Sequence, residues 1–209
     1  MHLLITAGGT REYIDPVRFI TNASSGRMGY ALASAAVKAG HKVTLITTPV
    51  AQRLPKEAKI VKVETAAQMF KAVQKHFSRC ACLIMAAAVA DYTPVKRAKT
   101  KIKKQEKALT IKLKPTTDIL KWAGMHKKKN QVVVGFALED KNIRARAEKK
   151  LKEKNLGMII ANTPAAIGSD KSSVQIRATG GKWLKIPQES KTTIAQKIIS
   201  LAEELITGN

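Results

Sequence analysis

His2-Leu3-Leu4-Ile5-Thr6-Ala7-Gly8-Gly9-Thr10 opens the chain with a short apolar run that two glycines break. The segment from Gly26 to Ala39 is rich in alanine and carries Met28, Leu32, Ala35, Ala36 and Ala39 at helical spacing. Gly40 follows as a C′ residue, and Val43-Thr44-Leu45-Ile46 is a second apolar run. Strand, glycine loop, helix and strand in that order make one βαβ unit. Short strands that are apolar on both faces belong to a parallel sheet covered on both sides, an α/β fold.

The alternation continues outward. Ile60 to Val63 reads as a strand, and Thr65-Ala66-Ala67-Gln68 is a capping box opening a helix to about Phe77. Strands are expected at 81–86, 131–136 and 158–161, and helices at 117–126, 141–154 and 190–206. A hairpin is expected around Gly180-Gly181. The stretch from Arg11 to Ser25, with Pro16, reads as irregular. Between 93 and 114 the pattern fails: nine lysines and arginines crowd a polar excursion whose tail, Leu109 to Leu113, alternates like a half-exposed strand. A loop of that length leaving a strand's C-terminal end suits a basic flap over a ligand crevice. No repeat or linker divides the chain, so residues 1–209 read as a single domain.

Composition narrows the chemistry. Hydrophobic residues make up 44% and aromatics 4%, so the core is built mainly from Ala, Val, Ile and Leu. No apolar run approaches the roughly 20 residues of a membrane helix, and the first residues lack a signal peptide's features; a cytoplasmic location is the expectation. Cys80 and Cys82 read as plain buried thiols. The four histidines show no metal-ligand spacing, and no G-x-S-x-G string appears. The net charge of +23 fits nucleic acid, phosphorylated small molecules or a lysine-rich bias solvated on the surface, and charge alone does not separate the three. Residues 96–154 hold 20 of the 38 basic residues.

Several residues suit anion chemistry. Gly8, Gly9 and Thr10 could bring backbone N–H groups to a phosphate. Ser24 and Ser25 can cap the helix beginning at Gly26, whose N-terminus would face an anion. Asp91, beyond a strand end, suits a ribose hydroxyl or a metal. Lys101-Ile102-Lys103-Lys104 in the excursion could neutralise a triphosphate. Two other readings compete: an NAD(P)-dependent oxidoreductase, weakened by the imperfect glycine fingerprint and the missing Tyr-x-x-x-Lys, and a basic nucleic-acid-binding module, weakened by the scarcity of aromatics.

Taken together, Thr6 to Glu12, Ile14-Asp15-Pro16-Val17-Arg18-Phe19-Ile20, Asn22, Ser24 to Gly29, Ala86 to Tyr92, Lys101 to Lys104, Asp118-Ile119-Leu120, Val134-Gly135-Phe136 and Ile160-Ala161-Asn162 resemble phosphopantothenoylcysteine synthetase, also called phosphopantothenate–cysteine ligase. The resemblance runs through almost the whole chain. It implies a Rossmann-like doubly wound, mostly parallel sheet with a lysine-rich flap and dimerisation strands. It also implies CTP and Mg²⁺, with phosphopantothenate and L-cysteine as substrates and an acyl-cytidylate between them. Asn22 would hydrogen-bond that intermediate through its amide, and Lys101 would be the essential flap lysine. Met85, Ala86, Ala87, Asp91, Thr117, Asp118, Ile119, Leu120, Phe136, Lys150 and Lys154 would bind nucleotide. The metal ligands are unknown. Met1 stands directly before the first strand, so FMN is not expected in this chain, and a flavin decarboxylase would be a separate partner. The chain departs from the family pattern at Thr116-Thr117, Leu138-Glu139-Asp140 and Ile167.

Overall fold

The computed structural model describes residues 1–104, 106–166 and 168–208, so Ile167 lies outside the described residues. One eight-stranded sheet takes strands from both ends of the chain. Its strands are β1 (His2–Ala7), β4 (Lys42–Thr47), β5 (Lys59–Lys62), β6 (Cys82–Met85), β9 (Val132–Leu138), β10 (Met158–Asn162), β11 (Lys171–Ala178) and β12 (Leu184–Ser190). Two small hairpins stand beside it: β2 (Arg11–Tyr13) with β3 (Phe19–Thr21), and β7 (Tyr92–Pro94) with β8 (Leu113–Pro115). The sheet order is β12-β11-β10-β9-β6-β1-β4-β5. The six strands from β10 to β5 are parallel, and β11 alone runs against both its neighbours.

The period-two pattern within the strands divides the core. Leu3, Ile5 and Ala7 face α1 (Arg27–Lys38) and α5 (Lys191–Thr207). Leu4, between them, faces α2 (Ala66–Phe77), α3 (Ile119–His126) and α4 (Ile143–Glu153). Alternate residues of β9 and β10 split the same way. Both faces are therefore covered, as the apolar strands required. Each Leu or Ile fully withdrawn from water contributes about 1.5–3 kcal/mol. Cys80 and Cys82 are buried free thiols; loss of hydration pushes the Cys80 thiol up to about 12. Among the described residues no helix is long and apolar enough to cross a membrane.

The local signals fare unequally. Thr65 and Gln68 form the capping box of α2. Gly40 adopts φ 79°, which frees the chain to leave α1. The glycine-bearing hairpin is β11–β12, longer than the sequence suggested. Arg11 to Ser25 is not irregular throughout, because it contains the β2–β3 hairpin. The alternating tail Leu109 to Leu113 is not a strand until Leu113, where β8 begins. The serine cap fails as well. Gly26 is the N-cap, in the left-handed region at φ 73°, and no side chain caps the helix.

Candidate functional site

From β1 the chain winds outward through β4 and β5; from β6 it winds the other way. The reversal between β1 and β6 opens a crevice at the strands' C-terminal ends, where open α/β sheets hold ligands. A cavity of about 560 Å³ lies there.

One wall is the loop from Asn22 to Gly26 and the first turn of α1. The first backbone bond of this helix runs from the Tyr30 N–H to the Gly26 carbonyl. The preceding first-turn N–H groups have no intrahelical acceptor, and no side chain takes them. Ser24 Oγ accepts instead from the Gly26 N–H at 3.4 Å. An uncapped helix start that borders a cavity is a ready partner for phosphate oxygens. Ser25 lines the same wall. Gly29 lets the helix approach the sheet: a Cβ there would lie 2.5 Å from Ala7 Cβ.

The floor is the end of β6 and the loop beyond it, including Met85, Ala86, Ala87 and Asp91. Asn22 is fastened to this loop. Its Nδ2 donates to the Ala88 and Val89 carbonyls, 3.2 Å each. Both amide hydrogens are thus directed at backbone carbonyls of this loop. Oδ1 is the Asn22 side-chain atom that has no hydrogen-bond partner among the described residues.

The far wall carries Thr117, Asp118, Ile119 and Leu120 at the start of α3, with Phe136 from β9, Lys150 from α4 and Lys154 at its C-cap. Asp118 N-caps α3, accepting from the Lys121 N–H at 2.9 Å, and pairs with Lys154 at 2.7 Å. Burial raises the Asp118 carboxyl, but the hydrogen bonds from Lys154 and Lys121 outweigh it and hold the group below its ordinary range. Lys150 donates to the Phe136 carbonyl at 2.7 Å. Burial, then the charge of Lys154, lowers its pKa.

The Asp118 shift has a pH consequence. A depressed carboxylate stabilises fully above its unfolded pKa and loses that contribution as pH falls through the lower folded value. Asp118→Asn keeps an N-cap residue but removes the charge. The melting temperature of the wild type should exceed that of Asp118→Asn by roughly 1–4 °C near neutrality. The gap should close on acidification below about pH 4, as thermal scans across pH would show.

Two cations at the rim are not among the expected site residues: Arg27, though it lies in the Ser24 to Gly29 stretch, and Lys191, outside every motif. Arg27 donates to the Gly168 carbonyl at 2.9 Å and pairs with Asp170 at 2.5 Å. Lys191, at the start of α5, donates to the Ala166 carbonyl at 3.2 Å. Burial, then Arg27, lowers its pKa. Both line the cavity. They are distant in sequence, and only the packing of α1 on α5 joins them.

Four of the expected residues do not line it. Gly8, Gly9 and Thr10 are committed to the loop itself. The Thr10 N–H donates to the Ala88 carbonyl, the Ala88 N–H to the Gly8 carbonyl, and buried Thr10 Oγ1 accepts from the Ala90 N–H. A Cβ on Gly8 would fall 2.0 Å from Thr48 Oγ1, so this glycine permits close packing and does not face the cavity. Lys101 is exposed on the excursion, outside the cavity lining. Among the described residues no group of three or more His, Cys, Asp or Glu could hold a metal ion.

Comparison with known proteins places the fold in a family. Residues 1–205 match the family described as DNA/pantothenate metabolism flavoprotein C-terminal domain. The chain is 46% identical over 203 residues to the coenzyme A biosynthesis bifunctional protein CoaBC of Bacillus subtilis (strain 168), covering 95% of this chain and 50% of that protein. It thus spans about half the length of the curated relatives it matches. The crystal structure of the C-terminal domain of a CoaBC protein superposes with a TM-score of 0.87 at 38% identity, covering 100% of this chain and 96% of that one. The fold alone is shared with a Cab2 H337A mutant in complex with phosphopantothenate-cysteine, at a TM-score of 0.81 and 16% identity, covering 99% and 88%.

Proposed function

The chain belongs to the DNA/pantothenate metabolism flavoprotein C-terminal domain family, and on that premise we propose that it is a phosphopantothenate–cysteine ligase of coenzyme A biosynthesis, driven by cleavage of CTP. The observation that carries this reading is one crevice that gathers an uncapped helix start, four basic side chains and Asn22 around the edge of the sheet. Such a site suits two anionic substrates that must approach each other.

The chemistry divides into two displacements. A carboxylate oxygen of phosphopantothenate bonds to the α-phosphorus of CTP, and the bond to the bridging oxygen breaks, releasing pyrophosphate. The cysteine amine then bonds to the acyl carbon, the acyl–oxygen bond breaks, CMP leaves and the nitrogen loses a proton. The protein's part is to position the reactants and neutralise charge. The α1 start with Ser24 to Gly26, together with Lys150 and Lys154, holds phosphates. Asp91 faces the ribose, and Phe136 and the Met85–Ala87 backbone flank the nucleotide. Asn22 Oδ1, without a partner among the described residues, accepts a hydrogen bond from the amine as nitrogen approaches the acyl carbon, and the proton that nitrogen loses passes to solvent. Magnesium would be held mainly by the triphosphate itself, consistent with the scattered carboxylates.

Lys101 closes over the intermediate by a local swing of the flap about its anchored neighbour Ile102. Lys101→Ala should lower turnover by about 10²-fold or more with an unchanged melting temperature, because the side chain is exposed; steady-state kinetics with CTP would check it. A homodimer is part of the reading. Val17, Phe19 and Ile20 on one hairpin and Tyr92, Val95 and Leu113 on or beside the other are all exposed, and the hairpins pack together. The function itself is tested by supplying phosphopantothenate, cysteine, Mg²⁺ and either CTP or ATP. Phosphopantothenoylcysteine formed with CMP supports the ligase; no product with either nucleotide contradicts it.

A further inference from the structure

Asp15 is completely buried, yet it belongs to no catalytic set. Its carboxylate is a hub. Oδ1 accepts from the Val17 and Arg18 N–H groups at 2.8 Å each. Oδ2 accepts from Arg18 Nε at 2.9 Å and Arg18 Nη2 at 2.5 Å. Both belong to its own turn, between β2 and β3. The fifth bond does not: Oδ2 also accepts from the Ile102 N–H at 3.1 Å. Arg18 Nη2 completes the grip by donating to the Ile102 carbonyl at 2.7 Å. Both backbone polar groups of one flap residue are therefore held by one ion pair, whose carboxylate is buried and whose guanidinium reaches the surface.

Other contacts dock the same stretch. The Ala98 N–H donates to the Ile14 carbonyl at 2.9 Å, and the Arg97 guanidinium lies 4.7 Å from the centre of the Tyr13 ring. The first half of the excursion thus rests on the β2–β3 hairpin. That hairpin ends at Thr21, and the next residue is Asn22. One hairpin therefore holds the flap at one end and delivers Asn22 to the cavity at the other.

We propose that Asp15 is a positioning residue for Lys101: through Arg18 and the backbone of Ile102 it anchors the flap at the residue next to the lysine and fixes the lysine's reach relative to Asn22. The proposal rests on the reading of Lys101 as the flap lysine. An anchor one residue away confines Lys101 to a short arc, whereas a flap tethered only at β7 and β8 would let it wander. Misplacing a group by about 1 Å can cost on the order of 10²-fold in rate.

Asp15→Asn keeps the size of the side chain but removes one of the two acceptor oxygens. Ile102→Pro removes the flap's own donor while leaving the hairpin untouched, which serves if the buried substitution fails to fold. Each variant should lower kcat by about tenfold or more with little change in the KM for CTP. Limited trypsin digestion of the full chain should cut after Lys103 and Lys104 several-fold faster, with the remaining sites protected as before. In a Lys101→Ala background neither substitution should slow turnover further, because the anchored group is already gone. Unchanged turnover in folded variants, additive losses with Lys101→Ala, or flap cleavage at the wild-type rate would each overturn the proposal. If the wild-type protein makes no phosphopantothenoylcysteine at all, the ligase reading fails, while the digestion still decides whether Asp15 anchors the flap.

Discussion

Asn22→Asp is expected to reduce product formation by about 10²- to 10³-fold while leaving the first displacement running. The Asn22 amide nitrogen faces two carbonyl oxygens, those of Ala88 and Val89, at 3.2 Å each. An aspartate places a charged acceptor where two donors were, so two hydrogen bonds become two repulsions. The side chain must turn away, and the loop it fastens is the one that forms the floor of the cavity. The uncapped start of α1, Lys150 and Lys154 are untouched, so attack on the α-phosphorus continues. Rapid quenching with mass spectrometry should therefore find acyl-cytidylate accumulating on the variant when cysteine is present. Amide formation at the wild-type rate would show that Asn22 is not needed for the second displacement.

Gly124→Ala should be among the most destabilising single-methyl changes in the molecule, at about 2–4 kcal/mol. A Cβ there would sit 1.8 Å from the Lys154 carbonyl oxygen and 2.9 Å from its carbon, so the collision is with backbone. Relief by a side-chain rotation is not available. The junction is also tied from the other side: Asn155, in the left-handed region at φ 49°, donates through Nδ2 to the Gly124 carbonyl at 2.9 Å. Separating α3 from the end of α4 moves Lys154 away from Asp118, so nucleotide affinity should fall together with stability. A drop in melting temperature of roughly 5–12 °C is expected, with weaker CTP binding by calorimetry. A variant that melts within a degree or two of wild type would show that α3 can shift freely, and that the glycine is not the contact described.

Much of the fold was legible because the strands are short, apolar and set between amphipathic helices. The period-two alternation in Leu3-Leu4-Ile5 assigns residues to the two helical layers, and the Thr65–Gln68 box fixes where α2 begins. The β2–β3 hairpin escaped because each strand has three residues, β3 is exposed along its length, and no alternating apolar pattern marks it. Ser24 and Ser25 have the chemistry of a cap. Gly26 excludes them from that role by adopting a conformation open to few other residues.

The site divides similarly. Residues near or beyond the C-terminal ends of strands, such as Met85, Asp91 and Phe136, and at helix starts, such as Asp118, reach the cavity because the topology carries them there. Gly8, Gly9 and Thr10 carry a phosphate-loop composition, but their hydrogen bonds run to the neighbouring loop. Arg27 and Lys191 meet only through the packing of α1 on α5, a contact between residues far apart in sequence. Lys101 sits on a segment whose position depends on a buried carboxylate 86 residues earlier, as the Asp15–Ile102 bond shows one residue further on. No periodicity reports such a tie.

The central claim is that the carboxylic acid is activated as a mixed anhydride with the nucleotide's α-phosphate. Phosphopantothenate labelled with heavy oxygen in its carboxyl group, turned over with CTP and cysteine, tests it directly. One labelled oxygen should appear in CMP, because the carboxyl oxygen that attacks phosphorus leaves with it when nitrogen displaces the acyl group. Label found in inorganic phosphate with CDP formed, or amide product with unlabelled CMP, would contradict the account.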